Sequence, residues 1–126
     1  MIRALEAVLL SSDDAANLAK FYREVVGLKQ SSEMEIGDKG EKGYDFDIKG
    51  TGLYILDHSD IKGKNVQGAR LMFNLEVDDI EKEVKRLKGA KVKLITGIYH
   101  VPDYGLIATF ADPEGNYFQF VQTRAS

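Results

Sequence analysis

Residues 71–79 read Leu71-Met72-Phe73-Asn74-Leu75-Glu76-Val77-Asp78-Asp79, a strand pattern that ends in an acidic pair. Large apolar residues alternate with other residues at a period of two, which is typical of a half-buried β-strand. Asp78 with Glu81 is typical of a capping pair at a helix start, and Gly89 marks the end of that helix. The stretch therefore predicts a strand that leads directly into a helix.

The same punctuation occurs a second time, earlier in the chain. A shift of 65 residues brings three features into register, which are Asp13-Asp14 on Asp78-Asp79, Asp47 on Asp112, and Gly50 on Gly115. A repeat of this length indicates a supersecondary unit that is present twice. Because a repeat fixes the architecture before any residue is assigned a chemical role, it is the strongest fold signal in this sequence.

Each copy of the unit follows the order β-α-β-β-β. In the first copy, the predicted strands cover about 4–10, 28–36, 42–48 and 53–56, and the helix begins at Asp13 or Asp14 and ends at Gly27. In the second copy, the predicted strands cover about 71–77, 91–99, 105–111 and 116–122. The predicted fold class is α+β, with one domain, 1–126, made of two βαβββ modules at about 4–58 and 69–123 that are joined by a polar, solvated linker at 59–68.

The composition narrows the choice of partners and compartment. The 126 residues are 44% apolar, which suits one domain with a sizeable core. The 17 basic and 20 acidic side chains give a net charge of −3 and form no basic patch, so we expect neither nucleic acid nor a membrane as a partner. Since the chain has no cysteine, no apolar leader and no long apolar segment, we expect it to be cytoplasmic.

A third stretch carries a family resemblance. Residues 111–121 read Ala111-Asp112-Pro113-Glu114-Gly115-Asn116-Tyr117-Phe118-Gln119-Phe120-Val121, in which proline and glycine set a turn from which a strand departs. Together with residues 21–28, residues 76–79 and the duplicated unit, it resembles the vicinal oxygen chelate superfamily, which holds glyoxalase I, bleomycin resistance proteins and extradiol dioxygenases. The resemblance implies two curved sheets around a ligand cup, helices on the outer faces, and a homodimer.

Strand alternation predicts which side chains face this cup. In the first strand of the second copy, the large apolar residues serve the core under the helix, so Met72, Asn74 and Glu76 face the cup. By the same rule, Phe118 and Phe120 belong to the core. The rule places a further set in the cup, which is Ala7, Leu9, Ser11, Tyr54, Tyr117, Gln119 and Val121, with Tyr44 and Phe46 joining them.

Enzymes of the superfamily hold a divalent metal with four side chains, usually His, Glu or Gln, from the first and last strands of each module. The matching positions here are Ala7, Tyr54, Met72 and Gln119. Only Gln119 is a suitable ligand, because methyl, phenol and thioether groups do not replace imidazole and carboxylate. We therefore expect no metal and no other cofactor. The alternative is a one-residue slip of the first strand, which would bring Glu6 to a ligand position and reverse the faces of its neighbours.

Other catalytic patterns are weaker. His58 and His100 are interpreted as ordinary solvated or hydrogen-bonded histidines rather than as a ligand or a base. Glu76 could act as a base if it were desolvated, but a carboxylate near a strand end is more often solvated or paired. The glycines at 37, 40 and 43 lie between two strands, which favours a hairpin loop over a phosphate cradle.

The predicted cup is rich in phenol rings, amides and a thioether, and such surfaces bind flat or amphipathic organic molecules. The favoured function is metal-independent binding or sequestration of a small aromatic or amphipathic molecule, similar to the bleomycin resistance branch, with no catalytic residue assigned. One alternative is a metal-dependent glyoxalase-type lyase, isomerase or dioxygenase with a displaced site that uses Glu6, Glu76, Gln119 or a histidine. Another is a structural or regulatory dimer with a packed cup. The predicted ligand-binding residues are Tyr44, Phe46, Tyr54, Met72, Asn74, Glu76, Tyr99, Tyr117 and Gln119, with Tyr104 nearby.

Overall fold

A computed structural model describes residues 1–123, which form two compact units, one from Met1 to Gly63 and one that begins at Lys64. Each unit contains a four-stranded sheet and a helix. The predicted α+β class and the β-α-β-β-β order of each copy are therefore confirmed. The boundary between the units lies inside the predicted linker at 59–68.

The first unit contains strands β1 (Ala7–Ser12), β2 (Gln30–Glu35), β3 (Lys42–Ile48) and β4 (Thr51–Asp57), and helix α1 (Ala15–Lys20), which continues into wider π-helical turns over Phe21–Val26. Its sheet has the order β1-β4-β3-β2. Strand β1 is parallel to β4, and the other neighbours are antiparallel. Gly27 ends the helical segment with a φ of 99°, as predicted, because a left-handed conformation favours glycine.

The second unit opens with a short turn of 3-10 helix (Gly68–Arg70) and contains β5 (Met72–Glu76), α2 (Ile80–Gly89), β6 (Lys93–Val101), β7 (Gly105–Ala111) and β8 (Tyr117–Thr123). Its sheet order, β5-β8-β7-β6, matches that of the first unit. Strand β6 begins two residues later than predicted, because Lys91 adopts a φ of 64° between the helix and the strand. Within residues 1–123, no helix has the length and apolar character needed to cross a membrane.

The 65-residue repeat is preserved in the pairing of the parallel strands. Leu9 pairs with Tyr54 in the first sheet, and Asn74 pairs with Gln119 at the equivalent place in the second. All pairs between β1 and β4 and between β5 and β8 keep this relationship. A position on one parallel pair therefore has a direct counterpart on the other.

The hairpins next to these strands differ by one residue. The β3–β4 turn is the two-residue turn Lys49-Gly50, with φ angles of 49° and 93°. Two successive positive φ values are typical of tight hairpin turns. The β7–β8 loop is longer, since the N–H of Asp112 donates to the carbonyl of Asn116 at 2.8 Å and three residues lie between them. The extra residue shifts the register of the antiparallel pairs, so β3 and β7 present non-equivalent residues beside β4 and β8.

An aspartate fixes the start of each helix. The side chain of Asp14 accepts a hydrogen bond from the N–H of Asn17, and that of Asp79 accepts one from Lys82, both at 3.2 Å. The prediction that Asp78 caps the second helix is wrong, because α2 begins at Ile80 and the preceding residue, Asp79, is the one whose side chain accepts from the first turn. In both acidic pairs, the second residue is the cap.

Phenylalanines form the core of the second unit under α2. The ring of Phe118 is stacked 6.2 Å from that of Phe73 and 5.9 Å from that of Phe110, and Phe120 meets Phe110 and Phe118 edge-on. Phe118 is 0% exposed and Phe120 is 2% exposed, so their assignment to the core is confirmed. Their side of β8 is therefore occupied by the core, which leaves the alternate residues for the other face.

Strand β2 is the outer edge of the first sheet. It pairs only with β3, and its residues from Ser31 to Glu35 are exposed. The register shifts by one residue between Gln30 and Ser32, so Ser31 is a bulge whose hydroxyl donates to the backbone carbonyl of Asp45 at 3.0 Å. After the bulge, the side chains of Glu33 and Glu35 point to the helix side of the sheet.

The end of the predicted linker is anchored to the second unit. The N–H of Asn65 donates to the carbonyl of Glu114 at 2.7 Å. Gly68 is buried, and a Cβ at this position would overlap the ring of Tyr117 and the carbonyl oxygen of Gly115. The interpretation of 59–68 as a solvated loop is therefore wrong for Gly68, where the absence of a side chain allows close packing.

Candidate functional site

Each sheet has one face against its helix and one face that no helix of its own unit covers. We call these uncovered faces the first open face and the second open face. Strand pairing assigns side chains to them, because directly opposed residues point to the same side of a sheet. The first open face carries Ala7, Leu9, Ser11, Ser32, Met34, Gly43, Asp45, Asp47, Gly52, Tyr54 and Leu56. The second open face carries Met72, Asn74, Glu76, Lys93, Thr96, Tyr99, Val101, Gly105, Ile107, Thr109, Ala111, Tyr117, Gln119, Val121 and Thr123.

Most of the sequence-predicted site residues lie on these two faces. Tyr54 lies on the first, and the others on the second are Met72, Asn74, Glu76, Tyr99, Tyr117 and Gln119. The structure places the second group on the same face of one sheet, on the neighbouring strands β5 and β8 and, for Tyr99, on the edge strand β6. Their role in binding a ligand remains a prediction.

The placement of Tyr44 and Phe46 in the cup is wrong. Tyr44 pairs with Ile55, and Phe46 pairs with Leu53, on the face that packs under α1. Tyr44 is 6% exposed and Phe46 is 0% exposed. Alternation along β3 sends the intervening residue, Asp45, to the first open face and commits the two rings to the core. Neither ring is available to a ligand on an open face.

Tyr54 lies flat across the first open face because of a neighbouring glycine. Gly43 lies diagonally across from it on β3, and a Cβ there would overlap the Tyr54 hydroxyl. The same Cβ would lie 3.2 Å from Cγ2 of Ile36. Gly43 has no positive φ, so space rather than backbone conformation explains the glycine. The phenol ring, Ile36 and the bare backbone of Gly43 together form a shallow apolar surface.

Gln119 is a buried polar group of the second open face. It is 8% exposed, and its Nε2 donates a 2.8 Å hydrogen bond to Oγ1 of Thr109, which is 5% exposed. This bond fixes the orientation of the amide, since the nitrogen must face the hydroxyl. Among residues 1–123, no group donates to Oε1 of Gln119, and this oxygen retains contact with solvent. The Gln119 side chain thus presents a fixed acceptor on the second open face.

Two further hydrogen bonds connect side chains along β5. Nδ2 of Asn74 donates to the Tyr104 hydroxyl at 3.2 Å, so the ring of Tyr104 reaches from the β6–β7 turn to β5. The hydroxyl of Thr123 donates to Oε2 of Glu76 at 2.6 Å. Glu76 is exposed and already accepts a hydrogen bond, which favours the solvated or paired interpretation of this carboxylate over that of a base.

Tyr117 is held from one side by backbone. Its ring contacts Gly68 in the turn before β5, where no side chain intervenes. A cavity of about 340 Å³ opens beside this ring and is lined in part by Asn65, Lys93 and Pro113. Tyr117 is half-buried, so part of its ring packs against Gly68 and part of it stays accessible to a ligand.

The positions that the superfamily uses for metal ligands do not fit a metal ion in this chain. Ala7 supplies a methyl group, Tyr54 a phenol, and Met72 a thioether, while the amide nitrogen of Gln119 is bonded to Thr109. One amide oxygen is far short of the ligand set that a divalent cation requires. In the described part of the chain, no group of three or more His, Cys, Asp or Glu side chains is arranged to hold a metal.

The register of β1 contradicts the alternative in which Glu6 reaches a ligand position. Val8 pairs with Leu53 and Leu10 pairs with Ile55, all on the helix-covered side. A one-residue slip would reverse this arrangement. Glu6 precedes β1 and is exposed. The displaced metal site therefore loses its first-strand carboxylate.

The two histidines lie away from the open faces. Nδ1 of His58 accepts a hydrogen bond from the N–H of Asp60 at 3.1 Å in an exposed turn. His100 pairs with Leu106 on the face opposite to Tyr99, and it is exposed. Both placements agree with ordinary solvated histidines.

A cavity of about 630 Å³ lies at the start of α1, within the first unit. Its lining includes Asp14 and Asp57, whose carboxylates already accept hydrogen bonds from the backbone of α1. These two carboxylates therefore have a structural role, which is to accept hydrogen bonds at the start of α1. The open faces, with the free amide oxygen of Gln119 and their exposed rings, are the better candidates for a binding site.

Thr109 and Asp45 were not among the predicted site residues. Thr109 is the single hydroxyl residue in β7, which reads Gly-Leu-Ile-Ala-Thr-Phe-Ala. A lone polar residue in an otherwise apolar strand is a signal for a buried hydrogen bond. Asp45 alternates with Tyr44 and Phe46, and this alternation is the signal that places it opposite to the core.

Comparison with known proteins identifies the family. The sequence profile of the Glyoxalase/Bleomycin resistance protein/Dioxygenase superfamily matches residues 4–120. This match covers most of the chain, so the chain belongs to that superfamily, as its motifs predicted. Among curated proteins, none matches the sequence.

Several solved structures share the fold at low sequence identity. TnmS3, an antibiotic binding protein from Streptomyces sp. CB03234, is 24% identical with a TM-score of 0.78, and the match covers 98% of each chain. Glyoxalase I of Leishmania major, described as trypanothione-dependent, is 17% identical with a TM-score of 0.76 over 96% of this chain and 87% of that one. FosX, a fosfomycin resistance protein from Listeria monocytogenes, is 16% identical with a TM-score of 0.73 over 98% and 94%. These likenesses establish the fold.

Proposed function

We propose that this protein binds a small aromatic or amphipathic organic molecule, without a metal ion, at the open faces of its sheets. The observation that carries the proposal is the chemistry of the four positions that match the superfamily's metal ligands. They are occupied by Ala7, Tyr54, Met72 and Gln119, which offer a methyl group, a ring, a thioether and one amide. These groups contact organic molecules well and divalent cations poorly.

The second open face combines apolar area with fixed polar groups. Met72 is 40% exposed and Tyr99 is 43% exposed, so both retain surface that a ligand can cover. The free Oε1 of Gln119 lies between their strands and can accept a hydrogen bond from a ligand. Sites for small molecules typically use apolar and aromatic surface for area and a few placed polar groups for orientation. The arrangement supports binding of a flat molecule that carries a donor group.

The similar structures support a small-molecule ligand at the level of the superfamily. One of them is described as an antibiotic binding protein and another as a fosfomycin resistance protein. Glyoxalase I belongs to the same group of folds and is the counterpart of the metal-dependent alternative. That alternative has less support here, because Glu6 lies outside β1 and Glu76 accepts a hydrogen bond from Thr123.

The test is calorimetric titration of a panel of aromatic and amphipathic compounds into protein that has been treated with a chelator, with the metal content measured by mass spectrometry. We expect binding that is independent of chelation. Tyr99→Ala should weaken it about fivefold, the effect of losing one aromatic contact. His100→Ala is the matched control, since His100 is the next residue along β6 and points to the other face. Binding that disappears on chelation and returns with zinc, nickel or iron would contradict the proposal.

A further inference from the structure

We propose that the first open face selects an amphipathic organic cation, a molecule with an apolar or aromatic body and a protonated amine. This inference rests on the proposed function and adds the sign of the ligand's charge. It follows from the distribution of apolar and charged side chains on strands β1–β4, which separate into an apolar part and an acidic part.

The apolar part contains several exposed side chains. Leu9 is 60% exposed, Met34 is 44% exposed and Ile36 is 38% exposed. Tyr54 and Leu56 lie between them on β4. Scattered apolar residues on a surface are normal, whereas a contiguous group on one sheet face marks a surface that binds something. The flat position of the Tyr54 ring, over the bare backbone of Gly43, makes this part accessible to a planar group.

The acidic part lies on β3, beside the ring. Along strands β1–β4, the charged side chains that alternation places on this face are Asp45 and Asp47, and both are negative. Asp45 is half-buried and forms no ion pair with any residue between 1 and 123. Its Oδ2 accepts a weak hydrogen bond from the Ser31 hydroxyl at 3.3 Å. A half-buried carboxylate without a counter-charge is complementary to a cation.

The ring and the carboxylate are direct neighbours. Asp45 pairs with Tyr54 across β3 and β4, so their Cβ atoms are about 5 Å apart, as in antiparallel pairs generally. The two side chains lean in opposite directions, Tyr54 over Gly43 and Asp45 toward Gly52, where its Oδ1 is 3.4 Å from the position a Cβ would take. A ligand whose body lies on the ring can therefore bring an ammonium group to the carboxylate. An ammonium above a tyrosine ring is also attracted by the ring itself.

The second open face does not share this charge pattern. Its exposed carboxylate, Glu76, accepts a hydrogen bond from Thr123, and β6 contributes the cation Lys93 to the same side of the sheet. With one negative and one positive side chain, the second open face has no preference for a cationic over an anionic ligand. The choice of a cationic ligand is therefore assigned to the first open face, and specifically to Asp45 with Tyr54.

The inference is tested with three fluorescent probes that share one aromatic body. Dansylcadaverine carries an amine that is protonated at neutral pH, its N-acetyl derivative is neutral, and dansyl-ε-aminocaproic acid is an anion. Binding of each probe is followed by the increase and blue shift of its emission. We expect the cation to bind about three- to fivefold more tightly than the neutral probe, which corresponds to one exposed ion pair, and the anion to bind most weakly. Added salt should reduce this preference, because it screens exposed charges.

Three variants assign the preference to its residues. Asp45→Asn should make the cation and the neutral probe bind equally, with little change for the neutral one. Glu35→Gln is the matched control, since it removes one negative charge from the same sheet on the opposite face, and it should leave the preference intact. Tyr54→Ala should weaken all three probes, because it removes the surface on which their common body lies.

The outcomes separate the inference from the proposed function. Equal binding of the cation and the neutral probe to the unmodified protein, or a preference that survives Asp45→Asn, overturns the inference and leaves the proposed function standing. Absence of binding by all three probes counts against both. If sedimentation shows a dimer whose dissociation on dilution coincides with stronger probe binding, a second copy of the chain occupies the first open face, and the inference is wrong.

Discussion

The backbone N–H of Ile80, the first residue of α2, donates a 2.8 Å hydrogen bond to Oε1 of Gln122 at the end of β8. The equivalent bond joins the N–H of Ala15 to Oδ1 of Asp57, also at 2.8 Å, and these residues are related by the same 65-residue shift. The first N–H groups of a helix have no partner within the helix. In both units, a side chain from the last strand satisfies one of them and fastens the helix to the sheet.

Gln122→Ala should lower the free energy of unfolding by about 1–2 kcal/mol, because the N–H of Ile80 is left without an acceptor in a buried position. Urea denaturation followed by circular dichroism measures the change. Gln122→Glu is the control, since it keeps an acceptor at the same reach. An alanine variant as stable as the unmodified protein would contradict the assigned role.

Tyr44→Phe should reduce the loss of folding stability at alkaline pH. Burial of the phenol raises the pKa of Tyr44, and the carboxylates of Glu33 and Asp57 raise it further. The unfolded chain has a tyrosine pKa of about 10, so the folded state holds this proton more tightly. The resulting contribution to stability is present below about pH 10 and is lost as the pH rises through the folded pKa.

The measurement compares unfolding of Tyr44→Phe and the unmodified protein in urea at about pH 7 and at about pH 11. The phenylalanine variant should lose less stability between the two conditions, because it has no proton to release at this position. The comparison at about pH 7, where the phenol is neutral in both states, gives the effect of the lost hydroxyl alone. An equal alkaline loss in the two proteins would show that Tyr44 does not contribute.

Gly43→Ala should disturb the first open face without changing any charge. The added methyl group would overlap the Tyr54 hydroxyl, so the ring must leave its flat position. We expect a destabilisation of about 1–3 kcal/mol, typical of overpacking, and weaker binding of dansylcadaverine. Chemical denaturation and the fluorescence titration measure the two effects.

Gly89→Ala is the matched substitution for that experiment. Gly89 is the last residue of α2, its φ is not positive, and a Cβ there would meet nothing within 4 Å. Alanine should raise stability by up to about 1 kcal/mol, because glycine loses more backbone freedom in a helix. If both substitutions destabilised the protein equally, the contact with Tyr54 would not be the cause.

Thr109 and Gln119 should show energetic coupling. Thr109→Val leaves the buried Nε2 of Gln119 without an acceptor and should cost about 1–3 kcal/mol of stability. Adding Gln119→Leu removes the unpaired donor, so the double variant should lose less than the two single changes combined. A double-mutant cycle in urea measures the coupling. Strict additivity would show that the 2.8 Å bond has no net value.

Periodicity in the sequence was sufficient to predict the order of the elements, because a strand, a helix and a hairpin each leave a pattern over several residues. The repeat added which positions are equivalent in the two units, such as Tyr54 and Gln119, whereas the parallel pairing of β1 with β4 and of β5 with β8 comes from the structure. It could not predict the one-residue difference between the hairpins. That difference depends on a two-residue turn at Lys49-Gly50 and a longer loop closed by Asp112 and Asn116.

The facing of the side chains was predicted correctly where polar and apolar residues alternate strictly, as at Met72 and Asn74. It was predicted wrongly at Tyr44 and Phe46, where aromatic residues were treated as ligand contacts although two aspartates interleave with them on β3. An aspartate is much harder to bury than a phenol or a phenyl ring, so the acidic residues decide the face. The bulge at Ser31 and the π-helical turns after α1 depend on local packing, and no short sequence pattern specifies them.

Strand β2 has a consequence for the behaviour of the protein in concentrated solution. An unpaired edge strand is a template on which the strands of other molecules can add. Here the backbone is bent by the bulge at Ser31, and Glu33 and Glu35 place two carboxylates along the edge, of which that of Glu33 lies 3.8 Å from the ammonium of Lys42, so the edge keeps a net negative charge. Two such edges repel each other, so intermolecular sheet growth from this side is disfavoured. Met34 can thus remain exposed on the neighbouring face without making the chain prone to fibre formation.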